Sequence, residues 1–170
     1  MVPAISGDVA EQKTNAMRIL DQLKMQYGVI HYEVEGEFTN GIDTAHKSGV
    51  PEDQNFKTLV AQGKSERYYV FVLPVAYEMD MKKAAKSVGE KSVELIPVKD
   101  INRLTGYVRG GCSPLGIKRQ CRTVIDSTAR NFDTVYVSGG KLGCTISLSP
   151  LDLARAAKAE FADILLSSEQ

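Results

Sequence analysis

Residues 55–75 read NFKTLVAQGKSERYYVFVLPV. Two runs rich in apolar and β-branched residues, 55–62 and 67–75, flank Gly63, where the chain turns, and each reads as a strand. One residue is out of keeping. Lys57 sits inside the first strand, between Phe56 and Leu59, where a lysine is costly unless its ammonium reaches water or an anion. Either it snorkels from an open sheet face or it points at a ligand.

Upstream, Ala16, Met17, Leu20, Leu23 and Tyr27 recur at helical spacing between Glu11 and Gly28, which predicts a helix over 11–27. VIHYEVE (29–35) reads as a strand and GEFTNGID (36–43) as a loop, followed by a short helix through Ala45 that Gly49 and Pro51 end. Downstream, 79–89 and 99–106 read as helices and 93–98 as a strand. Strands are expected at 122–126, 132–138 and 144–149, the last two joined by the tight turn GGKLG. Ser149, Pro150 and Asp152 announce a helix start, and the helical pattern continues through LDLARAAKAEF to residue 161. About seven short strands mixed with helices, without regular βαβ alternation, indicate an α+β fold. A mixed sheet curled into a pseudobarrel, with helices packed outside, fits this order best.

The length of 170 residues is that of one domain, 1–170, able to bury a core without disulfide or metal staples. The N-terminal fifteen residues lack the pattern of a signal peptide, and no stretch approaches the ~20 apolar residues of a membrane span, so a cytoplasmic protein is expected. Cys112, Cys121 and Cys144 form no C-x-x-C pair, and His31 and His46 are the only histidines. Neither a zinc site nor a cofactor is therefore expected, and a Ser-His-Asp or Cys-His arrangement has little support. Net charge is zero, yet residues 80–122 carry ten Lys/Arg against four Asp/Glu, a local excess of +6. That asymmetry suits a face that meets a polyanion.

The basic segment contains RGGCSPLGIKR (109–119), and SGGKLG (138–143) repeats its theme of hydroxyl, paired glycines and cation. Glycine lets a ligand approach the backbone, and a proline between glycines stiffens the loop. Neither loop matches a P-loop or a dinucleotide fingerprint. Together with Lys57 they would form a binding cleft for an anionic ligand if the fold brings them together. Ser113, Pro114, Gly139, Gly140 and Lys141 are candidate substrate contacts in these loops, and Arg109, Lys118 and Arg119 candidate contacts for a polyanion.

FKTL (56–59), DMKKAAKSVG (80–89), TGYVRGGCSPLG (105–116) and VYVSGGKLG (135–143), in that order, closely resemble the YbaK family of aminoacyl-tRNA deacylases. These are relatives of the editing domain of bacterial prolyl-tRNA synthetases. The resemblance implies a hydrolase that removes cysteine wrongly attached to tRNA(Pro), acting as a monomer, with prolyl-tRNA synthetase as a further partner. It implies that Lys57 holds the phosphate of the terminal adenosine with Thr58 beside it, and that Gly110 and Gly111 offer backbone groups at the scissile ester. It also implies that Ser138 contacts the aminoacyl group and that Tyr32 and Phe38 match aromatic positions of the pocket.

In this family the thiol of the attached cysteine is thought to attack its own ester, so no nucleophilic side chain is required. Some relatives carry an acidic residue where this chain has Thr145, so no carboxylate base is assigned. Cys112 stands where relatives carry an aliphatic residue and reads as a packing substitution. Two other functions fit the same residues: a deacylase for alanine or another small amino acid on tRNA, and a non-catalytic module that binds tRNA or a nucleotide.

Overall fold

The hairpin expected from residues 55–75 is the centre of the molecule in the computed structural model, which describes residues 13–34 and 41–167. Its strands are β1 (Gly28–His31), β2 (Phe56–Gly63), β3 (Tyr68–Pro74), β4 (Val93–Leu95), β5 (Arg122–Asp126), β6 (Val135–Ser138), β7 (Cys144–Leu148) and β8 (Ala159–Ala162). The helices are α1 (Asn15–Gln22), α2 (Gly41–Ser48), α3 (Met81–Ser87), α4 (Ile101–Thr105) and α5 (Pro150–Ala157). β2 and β3 pair antiparallel with Lys57 opposite Leu73. The Gly63 N–H donates to the Arg67 carbonyl at 2.8 Å to close the turn.

The hairpin is extended into a five-stranded mixed sheet in the order β4-β2-β3-β5-β8, with β3, β5 and β8 parallel. A second, antiparallel sheet has the order β1-β7-β6. Among the described residues a bridge between Asn55 and Tyr136 joins the two, and no closed ring of strands forms. The fold is α+β.

Both faces of β3 are covered, which accounts for its unbroken apolar run. Val70 and Val72 face a core shared with Val135, Val137 and Ile146 of the second sheet and with Ala16, Met17 and Leu20 of α1. Tyr69, Phe71 and Leu73 face the opposite way, against Ala84, Ala85 and Val88 at α3. Phe71 is fully buried, a change worth ~1.5–3 kcal/mol for a large apolar side chain.

Several boundaries depart from the sequence pattern. α1 begins at Asn15, capped by Thr14, whose hydroxyl accepts from the Met17 N–H at 3.2 Å, and it ends at Gln22 with Leu23 as its C-cap, before Lys24 takes a positive φ of 58°. Residues 11 and 12 of the expected helix lie outside the described residues. β1 stops at His31 because its partner stops there: Gly143, next to the last paired residue Cys144, has a φ of 82°. The C-terminal helix ends at Ala157, and left-handed Lys158 redirects residues 159–162 to pair with β5. Ala and Glu favour a helix there, but the open edge of a parallel sheet overrides that preference.

Candidate functional site

β4 pairs only with Ala61–Gly63 of β2, so among the described residues β2 from Phe56 to Leu59 has one free edge. A cavity of about 380 Å³ opens along that edge. Its apolar wall comes from Phe56, Val60, Val75, Ile96 and Ile101, with Leu95 and Val98 half-exposed at the rim. Its polar wall comes from Tyr32, Lys57, Thr58, Arg109, Gly110, Ser138 and Thr145. The fold therefore brings Lys57 and the leading residues of both glycine loops to one place.

Lys57 is neither buried without partners nor simply snorkelling. Its Nζ donates to the Tyr77 carbonyl at 2.8 Å, which uses one of its three N–H groups. Burial draws its pKa below the usual lysine range, and the nearby Glu78 carboxylate partly restores it. Beside it, the Thr58 hydroxyl is buried with no hydrogen-bond partner among the described residues, a situation that ordinarily costs ~1–3 kcal/mol. Thr145, 2% exposed, reaches the same wall from β7.

The Ser138 hydroxyl accepts from the Gly140 N–H at 3.1 Å, so its own hydrogen remains available to donate. Gly110 adopts a φ of 84° that presents its backbone to the cavity. Gly111 serves differently: its N–H donates to the Val108 carbonyl at 2.9 Å, and a Cβ there would meet the backbone of Lys141 and Leu142 at 3.0 Å. The two glycine loops thus pack backbone against backbone. Thr14 fastens the second loop by donating to the Gly139 carbonyl at 2.5 Å. Gly140, with a φ of 105°, leaves room for Thr14 and for Tyr107, whose buried hydroxyl donates to the Leu115 carbonyl at 2.6 Å.

Other expected site residues lie behind the cavity or outside it. Gly111, Ser113, Pro114, Gly139, Gly140 and Lys141 do not line it. Ser113 is fully buried, its hydroxyl accepting from the Leu115 N–H at 3.2 Å. Lys118 and Arg119 are exposed, with their amides held by the carbonyls of Thr105 and Leu104. Phe38 lies outside the described residues. The walls from β4, α4 and Asn55 escaped the sequence reading, since no motif connects them with Lys57.

Among the described residues no imidazole or carboxylate lines the cavity. His46 instead pairs with Glu52 at the surface, at 2.9 Å. Among the described residues no His, Cys, Asp and Glu form a cluster able to hold a metal, and no helix is long and apolar enough to cross a membrane. The cavity does contain one thiol, that of Cys112, and burial pushes its pKa up to about 11. It is protonated near neutral pH and so a poor nucleophile.

Residues 40–156 match the aminoacyl-tRNA editing domain family. EbsC of Enterococcus faecalis, provisionally named a Cys-tRNA(Pro)/Cys-tRNA(Cys) deacylase, is 38% identical over 154 residues, which is 91% of this chain and 94% of EbsC. The uncharacterised YwhH of Bacillus subtilis is 26% identical over 110 residues, 65% of this chain and 69% of YwhH. A crystal structure described provisionally as a trans-editing enzyme for prolyl tRNA synthetase superposes with a TM-score of 0.76 at 22% identity, over 90% of this chain and 98% of the other. The hypothetical protein APE2540 superposes with a TM-score of 0.80, also at 22% identity, over 89% and 99%. At that identity the superpositions speak for the fold.

Proposed function

Because the chain belongs to the aminoacyl-tRNA editing domain family and is a hydrolase of aminoacyl-tRNA, we propose that its substrate is cysteine wrongly esterified to tRNA(Pro) and that the substrate thiol performs the first step. The reading rests on one feature of the cavity. Among the described residues it offers a cation, backbone and hydroxyl groups, but no imidazole, no carboxylate and only a protonated thiol. Such a site can orient and polarise an ester; it is poorly equipped to activate water or a nucleophile of its own.

Lys57 holds the phosphate of the terminal adenosine through the ammonium hydrogens not given to Tyr77, and the unpartnered Thr58 hydroxyl lies beside it. Ser138 donates its free hydrogen to the aminoacyl group, and the Gly110 backbone faces the ester carbonyl. The sulfur of the substrate bonds to the carbonyl carbon, the carbon–oxygen bond to the ribose breaks, and the thiol proton ends on the ribose hydroxyl. A cyclic cysteine thiolactone leaves and is opened by water. Orientation alone supplies up to ~7–11 kcal/mol in well-placed intramolecular reactions, which makes a site without a base sufficient.

The similarity to EbsC favours cysteine over alanine. The sheets would curl about this cavity as a pseudobarrel, and the protein would act as a cytoplasmic single-domain monomer alongside prolyl-tRNA synthetase. The test is release of amino acid from tRNA(Pro) charged with cysteine, alanine, serine or proline. Rapid release of cysteine alone is expected. Preferred release of alanine would replace the substrate assignment, and no release above the protein-free rate would leave only a binding module.

A further inference from the structure

A second hollow, about 300 Å³, lies where β3 and β5 begin, lined by Arg67, Tyr68, Arg119, Gln120 and Arg122 together with the end of α3. We propose that this cleft binds backbone phosphates of the substrate tRNA just behind its 3′ end. The proposal rests on the aminoacyl-tRNA reading above and adds a place where the RNA is held.

The charges in the cleft are incompletely answered within the protein. Arg122 is paired with Glu160 at 3.0 Å, and Arg103, whose guanidinium reaches the Tyr68 hydroxyl, is paired with Asp100 at 3.2 Å. Arg67 and Arg119 have no carboxylate within ion-pair distance among the described residues. The acid closest in effect to Arg67 is Glu90, and that carboxylate already accepts from Ser65 and Tyr69. Arg119 holds its guanidinium carbon 4.9 Å over the Tyr68 ring, a cation–π contact that leaves its N–H groups available to an anion. Two like-charged forks converging on one hollow repel each other, and a phosphodiester between them removes that repulsion while matching the geometry of both.

Continuity with the first cavity identifies the anion as RNA. The loop 109–119 starts in the cavity wall at Arg109 and Gly110 and finishes in the cleft at Arg119. It is fixed against α4 by the Lys118 and Arg119 amides, at 2.9 and 3.1 Å from the Thr105 and Leu104 carbonyls. α4 itself presents Ile101 to the cavity and Arg103 to Tyr68 of the cleft. On the hairpin Lys57 pairs with Leu73 and Gln62 with Tyr68, five residues or about 17 Å apart, so an RNA strand whose 3′ end enters the cavity passes the cleft within its last few nucleotides.

The test uses the full-length protein and 5′-fluorescein-labelled, uncharged tRNA(Pro), titrated by anisotropy between 50 and 200 mM KCl. Wild type is compared with the double variant Arg67→Gln/Arg119→Gln and with a charge-matched control, Lys47→Gln/Lys82→Gln, with thermal unfolding followed in parallel. The arginine variant is expected to bind about tenfold more weakly at 100 mM salt. Its slope of log affinity against log salt should be shallower by about 1.4, which is two phosphates at ~0.7 each. Arg67→Lys/Arg119→Lys should regain the slope but not the full affinity, because lysine lacks the fork. An unchanged slope in the arginine variant, or an equal loss in the control, overturns the proposal. Uncharged RNA requires no hydrolysis, so a wild type that binds it normally yet deacylates nothing would defeat the proposed function and leave the cleft standing.

Discussion

Gly111 and Lys141 meet backbone to backbone: a Cβ on Gly111 would sit 3.0 Å from the Lys141 Cα and from its carbonyl carbon. This contact couples the loop that carries Gly110 to the loop that carries Ser138, so the two chemical elements of the cavity cannot move independently. Gly111→Ala places a methyl group against backbone that has no rotamer to escape into. The loops must part by a few tenths of an ångström. Deacylation is expected to fall about tenfold or more, since displacements of this kind are costly in a positioned reaction, while far-ultraviolet circular dichroism stays native. Wild-type turnover in Gly111→Ala would show that the register of the loops is immaterial.

Lys57→Ala should abolish most activity and leave the protein folded. Lys57→Arg should also be impaired, because a planar fork cannot reproduce both the Tyr77 carbonyl bond and a compact ammonium. The pKa shift adds a stability test. Burial lowers the folded pKa of Lys57 below 10.5, so between the two values the unfolded chain binds more protons. Stability from this residue therefore rises as pH increases through that window, and the penalty is fully present below the folded pKa. Lys57→Met removes the penalty and should unfold no earlier than wild type at neutral pH while losing activity. A marked drop in its melting temperature would mean that the Tyr77 bond outweighs desolvation.

Thr58 offers a cleaner separation of stability from function. Its buried hydroxyl has no partner among the described residues, so the isosteric Thr58→Val should be neutral or stabilising by up to ~1 kcal/mol. The same variant should lose activity if the hydroxyl waits for substrate. Unfolding curves and turnover measured together decide this, and a variant both as active as wild type and more stable would make Thr58 a packing residue.

Much of the fold was legible because local chemistry and tertiary structure agree. The hairpin with Lys57 and the Ser149 cap with Pro150 at the first helical position lie where the sequence puts them. The family likeness was legible for the same reason, since FKTL and the two glycine loops are contiguous strings. What escaped depends on distant pairing. β8 owes its conformation to the edge of β5 rather than to its own residues. The apolar wall from Leu95 to Ile101 becomes part of the cavity only because β4 leaves the edge of β2 uncovered beyond Ala61. The arginine cleft joins Arg67 to Arg119 across a parallel strand pair, and nothing in either neighbourhood signals the other.

Substrate assistance makes a final expectation that size cannot imitate. Serine nearly matches cysteine in volume, and a small pocket discriminates weakly between near-isosteres. Seryl-tRNA(Pro) should nevertheless be hydrolysed at least about a hundredfold more slowly, because its hydroxyl stays protonated while a thiol near pKa ~8.5 supplies thiolate. The competing nucleophile is the Cys112 thiol in the cavity wall, and its pKa of about 11 gives the two routes different pH profiles. With substrate thiol as nucleophile, the enzyme-dependent rate on cysteinyl-tRNA should rise about tenfold per pH unit and flatten near ~8.5. With Cys112 as nucleophile it would keep rising well past that point. Cys112→Ala should retain the flattening profile and still release thiolactone, detectable by mass spectrometry or by capture with an added amine. Loss of activity in a folded Cys112→Ala protein, or comparable rates on serine and cysteine, would transfer the attacking group from the substrate to the enzyme or to water.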